Sequence, residues 1–323
     1  MTQSHDCFDL SICIVNWNCC EYLRALLASI DSQSDRLSIE IIVVDNASTD
    51  DSAAVVKSEF PAVQLIRNDC HRGVATANNQ AAAQSRGEIL FFLNNDTSVK
   101  SGALMALINF VKNHPEVAGV APSLISPDGK PQGNVRKLLG LKALLHRVLF
   151  LRWTGLFRSA NREYRQVDFD LKQSAYVDHL VGAALAVPHR QFDRVGGWDE
   201  TFEFGMDDID LAVRLRQVGK MYYLADAEVV HWGGMATQLD QPYAYHCNEC
   251  SCIHYLRKHC GPWKAQIYKI LVTADIPVRI SILALTWLIK KLFGNRERAA
   301  RDYRKLAASS HFLVYGLPQY WQS

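Results

Sequence analysis

Through the first hundred residues, short apolar runs alternate with stretches whose apolar positions recur at helical spacing. Leu10 to Trp17 is an apolar run suited to a buried strand, and Tyr22, Leu23, Leu26, Leu27 and Ile30 then fall on one helical face. Ile39 to Val44 is again apolar and β-branched, which completes strand, helix, strand. Asp45-Asn46-Ala47-Ser48-Thr49-Asp50 follows as a turn, with Thr49 or Asp50 placed to cap a helix through Val55 and Val56. Val63 to Ile66 reads as a third strand, Gly73 to Ala83 as a small-residue helix, and Ile89 to Leu93 as a fourth strand running into Asn94-Asn95-Asp96. This alternation predicts an α/β fold, a mostly parallel sheet with flanking helices. Ligands of open α/β sheets gather at the carboxyl ends of the strands, and these ends carry Asn16, Asp45, Asn68 and Asp96, four polar stops after four apolar runs.

From Lys130 to Lys172 the chain is basic and less periodic, with Arg136, Lys137, Lys142, Arg147, Arg152 and Arg158 set among Leu, Phe and Trp; this reads as a mobile insertion or an amphipathic face. Val177 to Val187 is predicted to resume as one strand, and its Gly182-Ala183-Ala184 step lets backbone approach a ligand closely. After Trp198-Asp199-Glu200, Asp207, Asp208 and Asp210 begin a helix with Leu211, Leu215 and Val218 at helical spacing and Gly219 as its stop. Carboxylates in a first turn suit the helix dipole, so capping and catalysis are both open readings on spacing alone. Met221 to Val230 is a further strand ending at His231, and the chain past Tyr243 reads as helical. The predicted organisation is residues 1–240 as one domain, with 130–172 as its insertion, and 241–323 as a helical region.

Composition narrows the class. The chain has 323 residues, 49% hydrophobic and 21% charged, with a formal charge of +2, the profile of a soluble enzyme rather than a disordered or multispanning chain. Met1 to Leu10 carries Asp6 and Asp9 and no apolar core of a leader, which predicts a cytoplasmic location. Nine cysteines are scattered, so reduced thiols are expected. His246, Cys247, Cys250, Cys252, His254, His259 and Cys260 lie close together, but no second Cys-x-x-Cys follows at zinc-ribbon spacing, and buried thiols are the favoured reading over zinc. Ile280 to Ile289 is strongly apolar yet shorter than the about 20 residues a bilayer requires. With the basic tail of Arg296, Arg298, Arg301, Arg304 and Lys305 beside it, a peripheral position on the inner membrane face is expected, against the alternative of a core-packed helix with a solvated tail. The basic stretch after Lys130 comes without a nucleic-acid-binding module, so no nucleic-acid partner is expected.

Several segments together resemble the family 2 glycosyltransferases: Ser11 to Asn18, Val43 to Asp50, the Asn68 to Gly73 step with Asn78 and Asn79, Leu93 to Thr97, and Val195 to Glu200 through Asp207-Asp208-Ile209-Asp210-Leu211 to Arg214. The resemblance is densest from Leu10 to Gly234, and within the family it is closest to the bacterial rhamnosyltransferase branch of cell-surface polysaccharide and O-antigen assembly. It implies a GT-A fold, a nucleotide-diphosphate sugar donor (dTDP- or UDP-linked, with L-rhamnose from dTDP-rhamnose the first candidate), a divalent metal (Mg2+ or Mn2+) and inversion at the anomeric carbon. Another UDP- or GDP-sugar donor is the alternative. The acceptor implied is a glycan or a polyprenyl-diphosphate-linked sugar.

Carried onto this chain, the resemblance places the base- and ribose-binding carboxylate at Asp45, with Val15, Asn16, Asn18, Asn46, Asn68, Gly73, Asn78, Asn79, Gly182 and Ala183 around the donor. The family's metal-binding Asp-x-Asp falls on Asn94-Asn95-Asp96, which keeps only the last carboxylate; one carboxylate plus the donor's phosphates and waters can still hold a divalent cation. His231 is the further metal ligand or a satisfied strand-end histidine. Trp198 and Asp199 are expected on the acceptor side, and Asp208, beside Asp207, matches the catalytic base. Crowded aspartates repel, which raises one carboxylate's proton affinity and makes it a better base. Two rivals are weighed. A nucleotidyltransferase would need a glycine-rich loop after the first strand, where Asn16-Trp17-Asn18-Cys19-Cys20 has no glycine. A noncatalytic sugar-nucleotide-binding or polysaccharide-binding protein gains weight from the single retained carboxylate.

Overall fold

The computed structural model describes residues 8–34, 37–234, 240–294 and 296–323. In chain order it runs β1 (Leu10–Asn16), α1 (Cys20–Ser34), β2 (Ile39–Asp45), α2 (Ser52–Glu59), β3 (Gln64–Arg67), α3 (Val74–Gln84), β4 (Ile89–Asn94), β5 (Thr97–Val99), α4 (Ala103–Asn113) and β6 (Val117–Ile125). It continues with β7 (Pro131–Gln132), β8 (Val135–Arg136), α5 (Leu141–Leu145), α6 (Leu149–Trp153), α7 (Arg158–Tyr164), β9 (Ala175–Val177), β10 (His179–Leu180), β11 (Ala184–Pro188), α8 (His189–Arg194), α9 (Asp207–Leu215) and β12 (Lys220–His231). The C-terminal helices include Gln241–Tyr255, Pro262–Leu292, Arg296–His311 and Leu317–Gln322.

Ten strands form one sheet whose path is β3-β2-β1-β4-β11-β6-β12-β5, with β7 on β6 and β9 on β12. The neighbouring pairs of β3, β2, β1 and β4 are parallel, as is β12 on β6, while β11 runs antiparallel to both β4 and β6. The sheet is thus mixed, with its longest ladders parallel. Alternate residues of β1 supply opposite faces: Ile12 and Ile14 pack with Leu23, Leu26 and Leu107 of α1 and α4, while Cys13 packs with Ala77 and Ala81 of α3. Strands covered on both faces read as unbroken apolar runs, which is why the first four stand out in the sequence.

Register brings the polar stops together. Asn16 pairs with Asp45, Asp45 with Arg67, and Val15 with Asn94. Because β11 runs against β4, its start at Ala184 lies beside Leu93, and the Gly182-Ala183 step reaches the carboxyl end of β4. Likewise β12 ends with His231 opposite Thr97 of β5.

Three local expectations change. The apolar run over Val177–Val187 is three strands, because the chain moves from β12 to β8 to β4 as its pairing partner within that span. The helix predicted to follow Asp50 takes Asp51 as its cap position without a side-chain bond; Asp50 instead accepts from the Ser52 N–H at 3.1 Å and from the Cys20 N–H at 3.0 Å. The basic stretch expected to be irregular carries β7, β8, α5, α6 and α7.

The chain divides into two compact units. One holds the described residues up to Leu138, Arg165–Glu203 and Asp207–Gly234; the other holds Leu139–Tyr164, Phe204–Met206 and the residues from Asp240 on. In the second unit, the run Ile280–Ile289, too short to span a bilayer by itself, belongs to the 31-residue helix Pro262–Leu292. That helix is long and apolar enough to cross a membrane by length and composition, with mean hydropathy 1.6 in its most apolar window. Cys247 and Cys252 are buried, Cys250 and Cys260 half-buried, and among the described residues no three His, Cys, Asp or Glu side chains come together to hold a metal. Burial pushes the Cys252 thiol up to about 12.

Candidate active site

The ends of β1 and β2 are stitched by short polar side chains. Asn16 Nδ2 lies 3.5 Å from Asp45 Oδ1 and 3.3 Å from Ser48 Oγ, and Asn95 Nδ2 donates back to Asn16 Oδ1 at 2.9 Å. Asn18 holds φ 49° and Ala47 φ 65°. Asn tolerates that left-handed region, and here its Oδ1 accepts from the Thr49 N–H at 2.7 Å while its own N–H donates to Ser48 Oγ at 3.0 Å. Asn46 is buried; its Oδ1 accepts from Asn68 Nδ2 and the Arg72 N–H, both at 3.0 Å, and its Nδ2 donates to the Gly73 carbonyl at 3.2 Å. Gly73, at φ 78°, opens α3 where a Cβ would come within 3.1 Å of the Glu203 carbonyl oxygen.

Within this frame Asp45 is exceptional. It is 1% exposed, and Oδ2 has no hydrogen-bond partner; the nearest cation is Arg67 Nε at 3.8 Å. A buried carboxylate oxygen without a donor is costly unless a ligand supplies one.

A second such arrangement lies where β4 and β12 end. Gln132 donates through Nε2 to the His231 carbonyl at 2.6 Å, which turns its Oε1 toward His231 Nδ1 at 3.0 Å. Nδ1 therefore carries a proton, and in the neutral imidazole the lone pair lies on Nε2. Nε2 is buried without a hydrogen-bond partner and faces Asp96 Oδ1 at 3.5 Å. Facing a carboxylate oxygen, Nε2 either binds a proton or shares a cation with it, and oxygen plus imidazole nitrogen suits a divalent ion. The residues present fit the metal implied by the sequence, with Asn94 exposed and Asn95 turned inward to Asn16 rather than toward it. Gln132 is absent from the sequence-level prediction, since nothing in a two-residue strand marks it.

The third group is the start of α9. Asp210 is fully buried and neutralised by Arg214, whose guanidinium reaches Oδ2 at 2.6 Å and the carbonyls of Val195 and Gly197 at 2.8 and 2.5 Å. It is a structural clamp on the preceding loop. Asp208 accepts from the Gly182 N–H at 3.0 Å and the Ile209 N–H at 2.8 Å, with His179 Nε2 3.7 Å away. Burial raises its carboxyl, but His179 and those two N–H groups outweigh burial, and its pKa lies below the ordinary value. Asp207 goes the other way: burial first, then the charge of Asp208, pushes it up to about 7. The mutual repulsion expected from the sequence thus falls on Asp207 rather than on Asp208.

A raised carboxyl carries a stability cost of known sign. Between about pH 4 and pH 7 the folded chain holds a proton that an unfolded Asp207 has lost, so this group's contribution declines as pH rises through that window and is at its worst above 7. Asp207→Asn is therefore expected to melt about 2–4 °C or more above the wild type at pH 8 and level with it at pH 4; a melting difference independent of pH would sink the assignment.

The remaining predicted residues are in scaffolding positions. Asn79 donates to the Trp198 carbonyl and to Glu200 Oε1, both at 2.9 Å, and accepts from the Trp198 N–H at 2.9 Å, so its side chain binds the 198–200 loop to α3. Asn78 is buried on α3. Trp198, expected on the acceptor side, is 3% exposed and packs edge-on against Phe92 at 5.1 Å, which leaves its ring no surface for an acceptor. Asp199 Oδ1 accepts from the Thr201 N–H and hydroxyl at 3.0 and 2.6 Å and shapes the turn. One continuous chain of contacts links the rest: Asp45 to Asn16, Asn16 to Asn95, the Asn94 N–H to the Ala183 carbonyl at 2.9 Å, and the Gly182 N–H to Asp208.

Residues 11–168 match the family model described as Glycosyl transferase family 2. The chain is similar to the N-acetylglucosaminyl-diphospho-decaprenol L-rhamnosyltransferase of Mycobacterium tuberculosis, with 27% identity over 273 residues that cover 80% of this chain and 87% of the relative. Among solved structures it is similar to the mannosyltransferase of Pyrobaculum calidifontis in complex with GDP-Man and Mn2+ (TM-score 0.52, 18% identity, 96% of this chain and 88% of that one). It is also similar to GalNAc-T7 with UDP, GalNAc and Mn2+ (TM-score 0.54, 16% identity, 71% of this chain and 44% of that one). The two structural likenesses establish a GT-A architecture for the sheet and its helices.

Proposed function

We propose, of a chain that is a family 2 glycosyltransferase, that it transfers L-rhamnose from dTDP-rhamnose, with inversion, to a hydroxyl of a polyprenyl-diphosphate-linked sugar at the membrane surface during cell-surface polysaccharide assembly. The observation that carries the reading is the series of hydrogen bonds and chain neighbours from Asp45 to Asp208, which sets the buried Asp45 carboxylate and a helix-start carboxylate at the same end of one sheet. The named relative supports the rhamnosyl donor and the lipid-linked acceptor.

In this mechanism Asp45 Oδ2 accepts the ring N–H of the pyrimidine base, which supplies the donor that the buried oxygen lacks. Asp96 and His231 would hold the divalent cation, which would supply Lewis-acid neutralisation of the departing diphosphate. Asp208, kept ionised and aimed by the Gly182 and Ile209 N–H groups, takes the proton of the acceptor hydroxyl as that oxygen bonds to the anomeric carbon and the bond to the diphosphate breaks. Gly182 is needed at its position because a Cβ there would lie 2.8 Å from the Asp208 Cβ.

The test is a donor screen: dTDP-, UDP- and GDP-linked sugars, each with a polyprenyl-diphosphate N-acetylglucosamine acceptor, with and without Mg2+ or Mn2+, reading nucleoside diphosphate release. The highest release is expected from dTDP-rhamnose in the presence of metal. Turnover only with a GDP-sugar would replace the donor, and no turnover with any donor, despite binding, would favour the noncatalytic alternative.

A further inference from the structure

The helix Pro262–Leu292 has two unlike faces. Ala265, Tyr268, Lys269, Val272, Asp275 and Ile276 are buried at helical spacing in its first half. They are anchored: Tyr268 donates to Glu249 at 3.0 Å, Lys269 to the Trp321 carbonyl at 3.2 Å, and Asp275 accepts from the Leu149 N–H at 2.7 Å while pairing with Arg279 at 2.9 Å. On the opposite side Ile267, Ile270, Val278, Leu285, Leu288 and Leu292 are 38, 56, 36, 58, 47 and 75% exposed. At 3.6 residues per turn these six fall within an arc of roughly 80° and form a stripe about 37 Å long. Phe293, 84% exposed, caps the helix just past it.

An apolar stripe of that length on the surface marks a partner, and its flank says which. The helix Arg296–His311 packs along the second half, with Lys290 paired to Asp302 and the Trp287 ring 5.8 Å from that of Tyr303. Its Arg296, Arg298, Arg301, Arg304 and Lys305 are all exposed. Exposed cations beside an apolar stripe complement a bilayer with anionic head groups, with Tyr303 (54% exposed) and Trp263 (60%) at the boundary between water and hydrocarbon. Although the helix is long enough to cross, crossing would carry the arginines packed against it into hydrocarbon and strip the protein from around Asp275.

We infer that the Ile267–Leu292 stripe is a docking face that lies in the plane of an anionic bilayer, with the Arg296–Lys305 segment on the head groups. This deepens the membrane placement in the proposed function by naming the surface responsible. The test is sedimentation of the full chain with vesicles of phosphatidylcholine alone or with about one quarter phosphatidylglycerol. The wild type is expected in the pellet with the anionic vesicles and in the supernatant with the neutral ones, and Leu285→Glu with Leu288→Glu should reduce the bound fraction at least tenfold. Arg301→Ser with Arg304→Ser, at exposed positions, should weaken binding and flatten its dependence on salt. Binding unchanged in both variants, or no binding of the wild type, would overturn the inference, as would a wild-type dimer that the glutamates dissociate without any vesicle affinity. Metal-dependent hydrolysis of the donor in solution, measured in parallel, keeps the two readings apart: its loss counts against the proposed reaction, and its persistence without vesicle binding counts only against the docking face.

Discussion

Asp208→Asn is expected to lower kcat by about 100- to 10,000-fold while leaving the dissociation constant of the donor within about twofold of the wild type. The amide keeps the shape of the carboxylate and accepts from one of the two N–H groups of Gly182 and Ile209, but it cannot take a proton at neutral pH. In the proposed reading donor contacts centre on Asp45, at the opposite end of the contact chain, and the substitution leaves them untouched. Pre-steady-state turnover read beside calorimetric donor binding separates the two quantities, and equal losses in both would make Asp208 a structural residue. The pH profile adds a second signature. Asp208 is ionised well below neutrality, whereas Asp207 loses its proton near 7. As pH rises through that value a second negative charge forms beside Asp208 and strengthens it as a base, so kcat/KM should climb between about pH 6 and 8. The climb should vanish in Asp207→Asn.

Much of this arrangement is legible before folding because burial on both faces of a parallel strand writes a continuous apolar run, and the run ends where the chain meets solvent or ligand. Asn16, Asp45 and Asp96 could be found that way, and register then places Asn16 beside Asp45. What a sequence cannot carry is the choice of pairing partner. The run over Val177–Val187 has one composition but three partners, so its breaks at Asp178 and Val181–Ala183 leave no periodic trace. The reversal at β11 that brings Gly182 to Asp208 is hidden for the same reason. Gln132 and His179 act through neighbours 99 and 29 residues away in the chain, at His231 and Asp208, and no local pattern marks them. Trp198 errs in the other direction: an aromatic beside a turn invites a binding role, and only the Phe92 ring beneath it shows that it is core.

The same limit applies to the helix start. Three aspartates in one turn look alike in sequence, yet Arg214 four residues on neutralises Asp210, two backbone donors hold Asp208 ionised, and Asp207 is left to absorb the repulsion. Identical side chains acquire a buried ion pair, a lowered pKa and a raised one from the donors within reach.

Asp96→Ala is expected to abolish the cation dependence of donor hydrolysis and to cost on the order of 100- to 1,000-fold in rate, since stabilising a leaving diphosphate is worth several kcal/mol at about 1.4 kcal/mol per factor of ten. A readout without turnover is sharper. Asp96 Oδ1 and His231 Nε2 lie 3.5 Å apart, with Nδ1 committed to Gln132, so both are placed to hold one ion. Adding Mn2+ should then raise the melting temperature of the wild type, because an ion that binds only the folded chain stabilises it by mass action, and should leave the variant where it was. If Asp96 were merely a buried structural carboxylate, Mn2+ would move neither protein.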